Sequence, residues 1–241
     1  MVVPAHDEER LIRACLASIA VASRAPALAQ TTVHVIVVCD DCTDRTAEIV
    51  ASLGHTALVC EERNAGRARS LGAEAVLALG VDWLAFTDAD TVVCSAWLAS
   101  QVALLSDVVC GTIGVDDWDV YGEAMRLHFE NIYQDHDGHR HIHGANLGIS
   151  ARAYRGVGGF ESLANSEDVA IVTALEASGA RIAWSAAPRV VTSARATYRA
   201  TGGFGATLAA VASAAGMLQA STPRIVDARP VVEQDDIRQA A

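Results

Sequence analysis

The chain has 241 residues and a formal charge of -11, and all 18 of its basic residues are arginine. That length can bury a sizeable core without disulfides or a structural metal, and the acidic balance excludes a nucleic-acid footprint. Six cysteines (Cys15, Cys39, Cys42, Cys60, Cys94 and Cys110) lie mostly in apolar stretches with no signal peptide ahead of them, so reduced thiols and a cytoplasmic location are expected.

Short valine-rich runs at 2–4, 33–39, 56–60 and 83–87 alternate with helix-length segments at 8–23, 43–53, 65–79 and 96–105. The alternation predicts an α/β/α sandwich, a mostly parallel sheet flanked by helices with right-handed crossovers. The first run is short for a central strand, so its start is expected upstream or the strand is truncated. Past residue 108 the rhythm changes to a strand at 109–115, a helix at 121–133, a strand at 143–150, a helix at 167–178 and short strands at 181–184 and 189–192. One domain over 1–241 is expected, divided as 1–107, 108–204 and a C-terminal helix and tail at 205–241. Residues 200–223 carry no charge, but they are mostly Ala, Gly, Ser and Thr, which favours a packed or partner-facing helix over a membrane span. A homodimer surface, an acceptor wall and a peripheral membrane contact are the uses open to it.

In open sheets of this kind ligands lie outside the carboxyl ends of the strands. Residues 5–8, 40–41, 61–64 and 88–90 follow strand ends, are largely polar or acidic, and are expected to converge on one crevice. Alone, the first segment reads as a turn with an acidic helix start, and Thr43 in the second reads as a helix cap. In Phe86-Thr87-Asp88-Ala89-Asp90 a buried strand delivers two carboxylates one residue apart. Hard divalent cations need oxygen ligands, and a nucleoside diphosphate needs its charge neutralised.

Taken in order, these segments resemble the family 2 inverting glycosyltransferases of the GT-A fold, over residues 1 to about 204. Pro4-Ala5-His6-Asp7-Glu8-Glu9 is similar to the family's opening Pro-Ala-x-Asn-Glu-Glu, and Asp40-Asp41-Cys42-Thr43-Asp44 to its Asp-Asp-x-Ser/Thr-x-Asp. Asn64-Ala65-Gly66-Arg67-Ala68-Arg69 resembles its Asn-x-Gly stretch, Gly144-Ala145-Asn146 its Gly-x-Asn strand, and Ser166-Glu167-Asp168 its Glu-Asp motif. The resemblance implies a hexosyltransferase-like enzyme moving a sugar from a nucleoside diphosphate donor to an acceptor hydroxyl on a small molecule, lipid or glycan. It makes 1–107 the nucleotide-binding half and 108–204 the acceptor and catalytic half. It further implies that Pro4, Ala5, Glu8, Asp40, Asn64, Arg69, Asp88, Ala89 and Asp90 bind the donor, that Asp90 with Asp88 holds Mn2+ or Mg2+, and that Asp168, beside Glu167, is the catalytic base. Arg195 belongs to a region that faces phosphate in similar enzymes, and His143, Gly144 and Asn146 are expected near the acceptor or donor sugar.

Departures from the pattern matter. Many relatives supply a late histidine to the metal, whereas the last histidine here is His143, in the cluster His136, His139, His141 and His143. Alternation over 139–143 places three imidazoles on one face, a spacing that matches no standard zinc motif. Cys39 and Cys42 form a C-x-x-C, but the intervening Asp40-Asp41 suit the nucleotide element and disfavour a thiolate. The Gln-x-x-Arg-Trp motif of processive relatives is absent, which favours single transfers. A nicotinamide-dependent enzyme would need a glycine-rich first turn. A sugar nucleotidyltransferase, or an inactive relative that binds nucleotide or a partner, are the remaining alternatives.

Overall fold

The computed structural model describes residues 1–115, 117–118, 121–194 and 211. Arg195 and the expected C-terminal helix and tail lie outside the described residues. The parallel half contains β1 (Val2–Ala5), β2 (Ile36–Asp40), β3 (Thr56–Cys60) and β4 (Trp83–Phe86), joined through α1 (Ile12–Ala22), α2 (Thr46–Ser52) and α3 (Ala65–Leu77). The second half adds β5 (Val92–Val93), α4 (Trp97–Ala103), β6 (Val108–Val115), α5 (Gly122–Ile132), β7 (Leu147–Ser150), α6 (Ala151–Gly156), α7 (Glu167–Ala177) and β8 (Ile182–Thr192).

All eight strands join one sheet in the order β3-β2-β1-β4-β7-β6-β8-β5. Four of its seven pairings are parallel; β7 runs antiparallel to both β4 and β6, and β5 antiparallel to β8. The sheet is therefore mixed, with its parallel character concentrated where the valine-rich runs fall. Every residue of β2 is buried because helices cover both faces, so a strand of this kind is apolar throughout and does not alternate. Successive residues still part company: Val3 and Val37 pack with Ile12, Leu16 and Ile19 of α1 on one face, and Val2 and Val38 with Val76 of α3 and Leu175 of α7 on the other.

Several boundaries differ from the sequence-based expectation. α1 starts at Ile12 because the Glu8 carbonyl accepts the Leu11 and Ile12 N–H groups at 3.0 and 2.9 Å, and Asp7 just before it has φ of +50°. Thr43 does not cap α2; that helix starts at Thr46, whose N–H reaches Asp44 Oδ1 at 2.8 Å, while Thr43 N–H goes to Asp7 Oδ1 at 2.6 Å. The segment expected as a strand from 143 opens with a 3-10 turn, Gly144–Asn146, and β7 begins only at Leu147. The two short strands expected near the end are one 11-residue strand, β8, irregular in register between Gly111 and Ile113 of β6. Among the described residues no helix is long and apolar enough to cross a membrane.

Candidate active site

Two polar loops interlock at the ends of β1 and β2. The Glu8 N–H donates to Thr46 Oγ1 at 2.7 Å, the Glu9 N–H to Asp44 Oδ2 at 2.9 Å, and the Thr43 and Asp44 N–H groups to Asp7. The Thr43 amide holds Asp7, and bonds from Thr46 and Glu9 hold Asp44 against its burial, so both carboxyls sit below their ordinary range. Asp7, Cys42 and Asp44 bring three potential ligand atoms within 4.8 Å of one another, yet their hydrogen bonds account for this as a loop lock. All six cysteines are free. The Cys42 Sγ accepts the Asp7 N–H and donates to the Ala5 carbonyl, each at 3.4 Å, and the charges of Asp44 and Asp7 act against a thiolate there.

Asp40, buried at the end of β2, organises the loop after β3. Its Oδ1 accepts the Glu62 and Arg63 N–H groups at 2.7 and 2.9 Å, and its Oδ2 accepts the Asn64 N–H at 2.9 Å. Asn64 in turn caps α3 through the Arg67 N–H at 2.8 Å and ties to the Leu163 carbonyl at 2.7 Å. Pro4 and Ala5 lie opposite Val38 and Cys39 in the parallel register of β1 with β2, and the buried Glu8 follows the end of β1. The strand ends thus converge as the topology requires.

The centre of the site is Arg69 on α3, 4 % exposed. One guanidinium nitrogen pairs with Asp88 at 2.5 Å and another with Glu167 at the start of α7. Burial opposes its charge, but Asp88, Glu167 and Asp168 outweigh that and hold its pKa above the ordinary value. α3 and α7 come close enough for this because residue 66 is glycine: a Cβ there would lie 2.5 Å from the Glu161 carbonyl and 3.0 Å from Glu167 Cβ. A Cβ on Gly144 would lie 2.5 Å from the Arg69 guanidinium, so a side chain there would displace that group from its present position. The Gly144 N–H donates to Asp168 Oδ2 at 2.7 Å, and the Val169 N–H to Oδ1 at 2.8 Å. Asp88, Glu167 and Asp168 therefore share one guanidinium and one glycine turn.

Two of the expected site residues do other work. Asn146 is fully buried; its Nδ2 donates to the Thr112 carbonyl at 2.7 Å and to the Pro188 carbonyl, and its Oδ1 accepts Trp97 Nε1–H at 2.8 Å. It ties β6, β8 and α4 together. Arg69 likewise turns its guanidinium onto carboxylates of the chain itself. Ala89 is buried between Asp88 and Asp90, and Asp90 Oδ1 lies 3.4 Å from Thr91 Oγ1.

Asp88 and Asp90 supply hard oxygen donors, the chemistry a Mg2+ or Mn2+ ion selects, and no third His, Cys, Asp or Glu is grouped with them among the described residues. Such ions take one or two protein carboxylates and complete their shell with substrate phosphates, so this pair fits. The imidazoles of 139–143 are not gathered into a metal-binding group among the described residues. The hydroxyl of Tyr133, which no motif singled out, accepts the Ile113 N–H and is hydrogen-bonded to His143 Nε2, each at 2.9 Å.

The model of Glycosyl transferase family 2 matches residues 1–157, and the chain belongs to that family. No curated protein matches it at the level of sequence. Among solved structures, S. aureus TarS 1-349 in complex with UDP-GlcNAc is similar at a TM-score of 0.64 and 15% identity, over 88% of this chain and 64% of that one. The mannosyltransferase PcManGT from Pyrobaculum calidifontis, in complex with GDP-Man and Mn2+, matches at 0.58 and 19%, over 80% of this chain and 56% of that one. GalNAc-T7 with UDP, GalNAc and Mn2+ matches at 0.59 and 15%, over 84% of this chain and 44% of that one. The fold is the GT-A fold of these glycosyltransferases, and the chain spans 36% to 64% of the length of the TarS chains it matches.

Proposed function

We propose that the chain is an inverting, non-processive glycosyltransferase that moves a hexose from a nucleoside diphosphate to a hydroxyl of a small molecule, lipid or glycan in the cytoplasm. The observation that carries this is the buried Arg69, which joins Asp88 of the donor half to Glu167, next to Asp168, in the acceptor half. In this reading 1–107 is the donor half and 108–204 the acceptor half of one domain. Pro4, Ala5, Glu8 and the loop held by Asp40 and Asn64 line the nucleoside. Asp90, with Asp88, would hold a divalent cation, which when bound neutralises charge on the departing diphosphate. Arg195 is assigned to the same diphosphate.

Asp168 takes the proton of the acceptor hydroxyl as its oxygen forms a bond to the anomeric carbon. The bond to the diphosphate oxygen breaks on the opposite face, and its electron pair leaves with the nucleoside diphosphate. Glu167 stays paired with Arg69, so the two adjacent carboxylates have separate tasks: one anchors, the other accepts the proton. Gly144 aims the Asp168 carboxylate through its N–H. The mannose-, GlcNAc- and GalNAc-containing complexes of the structural relatives support a hexosyl donor.

A panel of UDP- and GDP-sugars with Mn2+ or Mg2+ tests the reading by release of nucleoside diphosphate. Release with formation of the product of inverted configuration is expected. Binding without turnover would instead favour an inactive relative, and pyrophosphate exchange a nucleotidyltransferase.

A further inference from the structure

Residues 139–143 stack their alternate imidazoles, with His139 to His141 at 5.4 Å and His141 to His143 at 5.9 Å between ring centroids. Tyr133, just past α5, continues the stack 4.2 Å from His141, and Phe129 lies 4.7 Å on its other side. Two hydrogen bonds clamp the segment to the end of α5. The Gln134 N–H donates to His141 Nε2 at 3.2 Å, and the Tyr133 hydroxyl lies 2.9 Å from His143 Nε2. The next residue, Gly144, holds Asp168.

The direction of the Tyr133 bond is set by the tautomer of His143. The phenol oxygen accepts the Ile113 N–H at 2.9 Å and keeps its single proton and a second lone pair, so toward His143 Nε2, also at 2.9 Å, it can donate or accept according to the tautomer. A neutral ring whose Nε2 accepts carries its own proton on Nδ1. Burial favours that neutral state by pushing the His143 pKa down to about 4.

We propose that Tyr133 is a positioning residue: by accepting from Ile113 and donating to His143 Nε2 it fixes the Nδ1–H tautomer and keeps the Gly144 N–H on Asp168. The catalytic consequence rests on the assignment of Asp168 as base, whereas the clamp itself does not. Tyr133 thereby links β6, through the histidine segment, to the start of α7.

Tyr133→Phe removes the hydroxyl and retains the ring that stacks on Phe129 and His141, so it tests the clamp without emptying the stack. In the full chain, long-range 1H–15N spectra at neutral pH should show His143 with a protonated Nδ1 and an accepting Nε2. In Tyr133→Phe the ring should shift toward the Nε2–H form, and Gly144 amide exchange should speed up about five- to tenfold, the scale of one neutral hydrogen bond. Turnover should fall by about the same factor with the donor KM unchanged. A predominant Nε2–H tautomer in the wild-type chain, or unchanged Gly144 exchange in the variant, would overturn the clamp. Wild-type turnover in Asp168→Asn would overturn the base assignment instead, and the spectra distinguish the two failures.

Discussion

In the parallel half, carboxylates arrive by a single rule: β1, β2 and β4 end, and Glu8, Asp40, Asp88 and Asp90 follow at their carboxyl ends. In the mixed half, Asp168 comes from a helix start and is aimed by a glycine turn before an antiparallel strand. The first arrangement needs only strand direction, and the second needs three separate segments brought into contact. Arg69 is where they meet, since it pairs with one carboxylate from each half. The parallel half is thus a repeating structure, and the mixed half is an assembly of particular contacts.

The comparison breaks most sharply at Arg69. Arg69→Met would leave Glu167 buried without its counter-charge, and a loss of about 3–5 kcal/mol in urea unfolding is expected. A loss under about 1 kcal/mol would mean that the halves are joined elsewhere. Asp168→Asn should lower turnover by about 100-fold or more while the nucleotide still binds, as for loss of a general base. Near-normal turnover would remove Asp168 as the base.

Acid should weaken the second half before the first. The His143 pKa is depressed to about 4 by burial, below its unfolded value, so the stability it confers is complete above the unfolded pKa and is lost as pH falls through about 4. The His143 contribution to unfolding free energy should drop by at most about 2 kcal/mol between pH 7.5 and 5, and His143→Gln should flatten the slope by that share. His139 and His141, whose pKa values burial also lowers, add in the same direction. An unchanged slope in the variant would show that the acid sensitivity lies elsewhere. Last, Asp90→Ala should weaken Mn2+-dependent donor binding roughly tenfold by titration calorimetry, and metal-independent binding in the wild-type chain would remove the cation from the scheme.

The Asp88-Ala89-Asp90 pair was legible because a buried strand imposes its own ending and the acids stand immediately after it. Asp40 was legible as an acid at a strand end, but its three amide bonds were not, since they depend on where the loop of Glu62 to Asn64 passes. The misplaced start of α1 has a local cause: Asp7 adopts a positive φ to accept bonds from the β2 loop, and helix periodicity carries no sign of that partner. Asn146 matched a motif position yet faces inward, because the chain turns at Gly144–Asn146 before entering β7. Tyr133 has no motif around it at all.

Period and punctuation in the sequence determined the alternating α/β order, the acidic strand ends and the stacked alternation of His139, His141 and His143, because each depends on neighbours within a few residues. Tertiary structure alone decided that β7 and β5 run antiparallel, that Arg69 spends its charge on Asp88 and Glu167, and that Tyr133 meets His143. These outcomes depend on contacts such as Arg69 with Glu167, 98 residues apart. No local propensity encodes such a pairing; burial makes it necessary, because a guanidinium removed from water must find carboxylates wherever the fold has brought them.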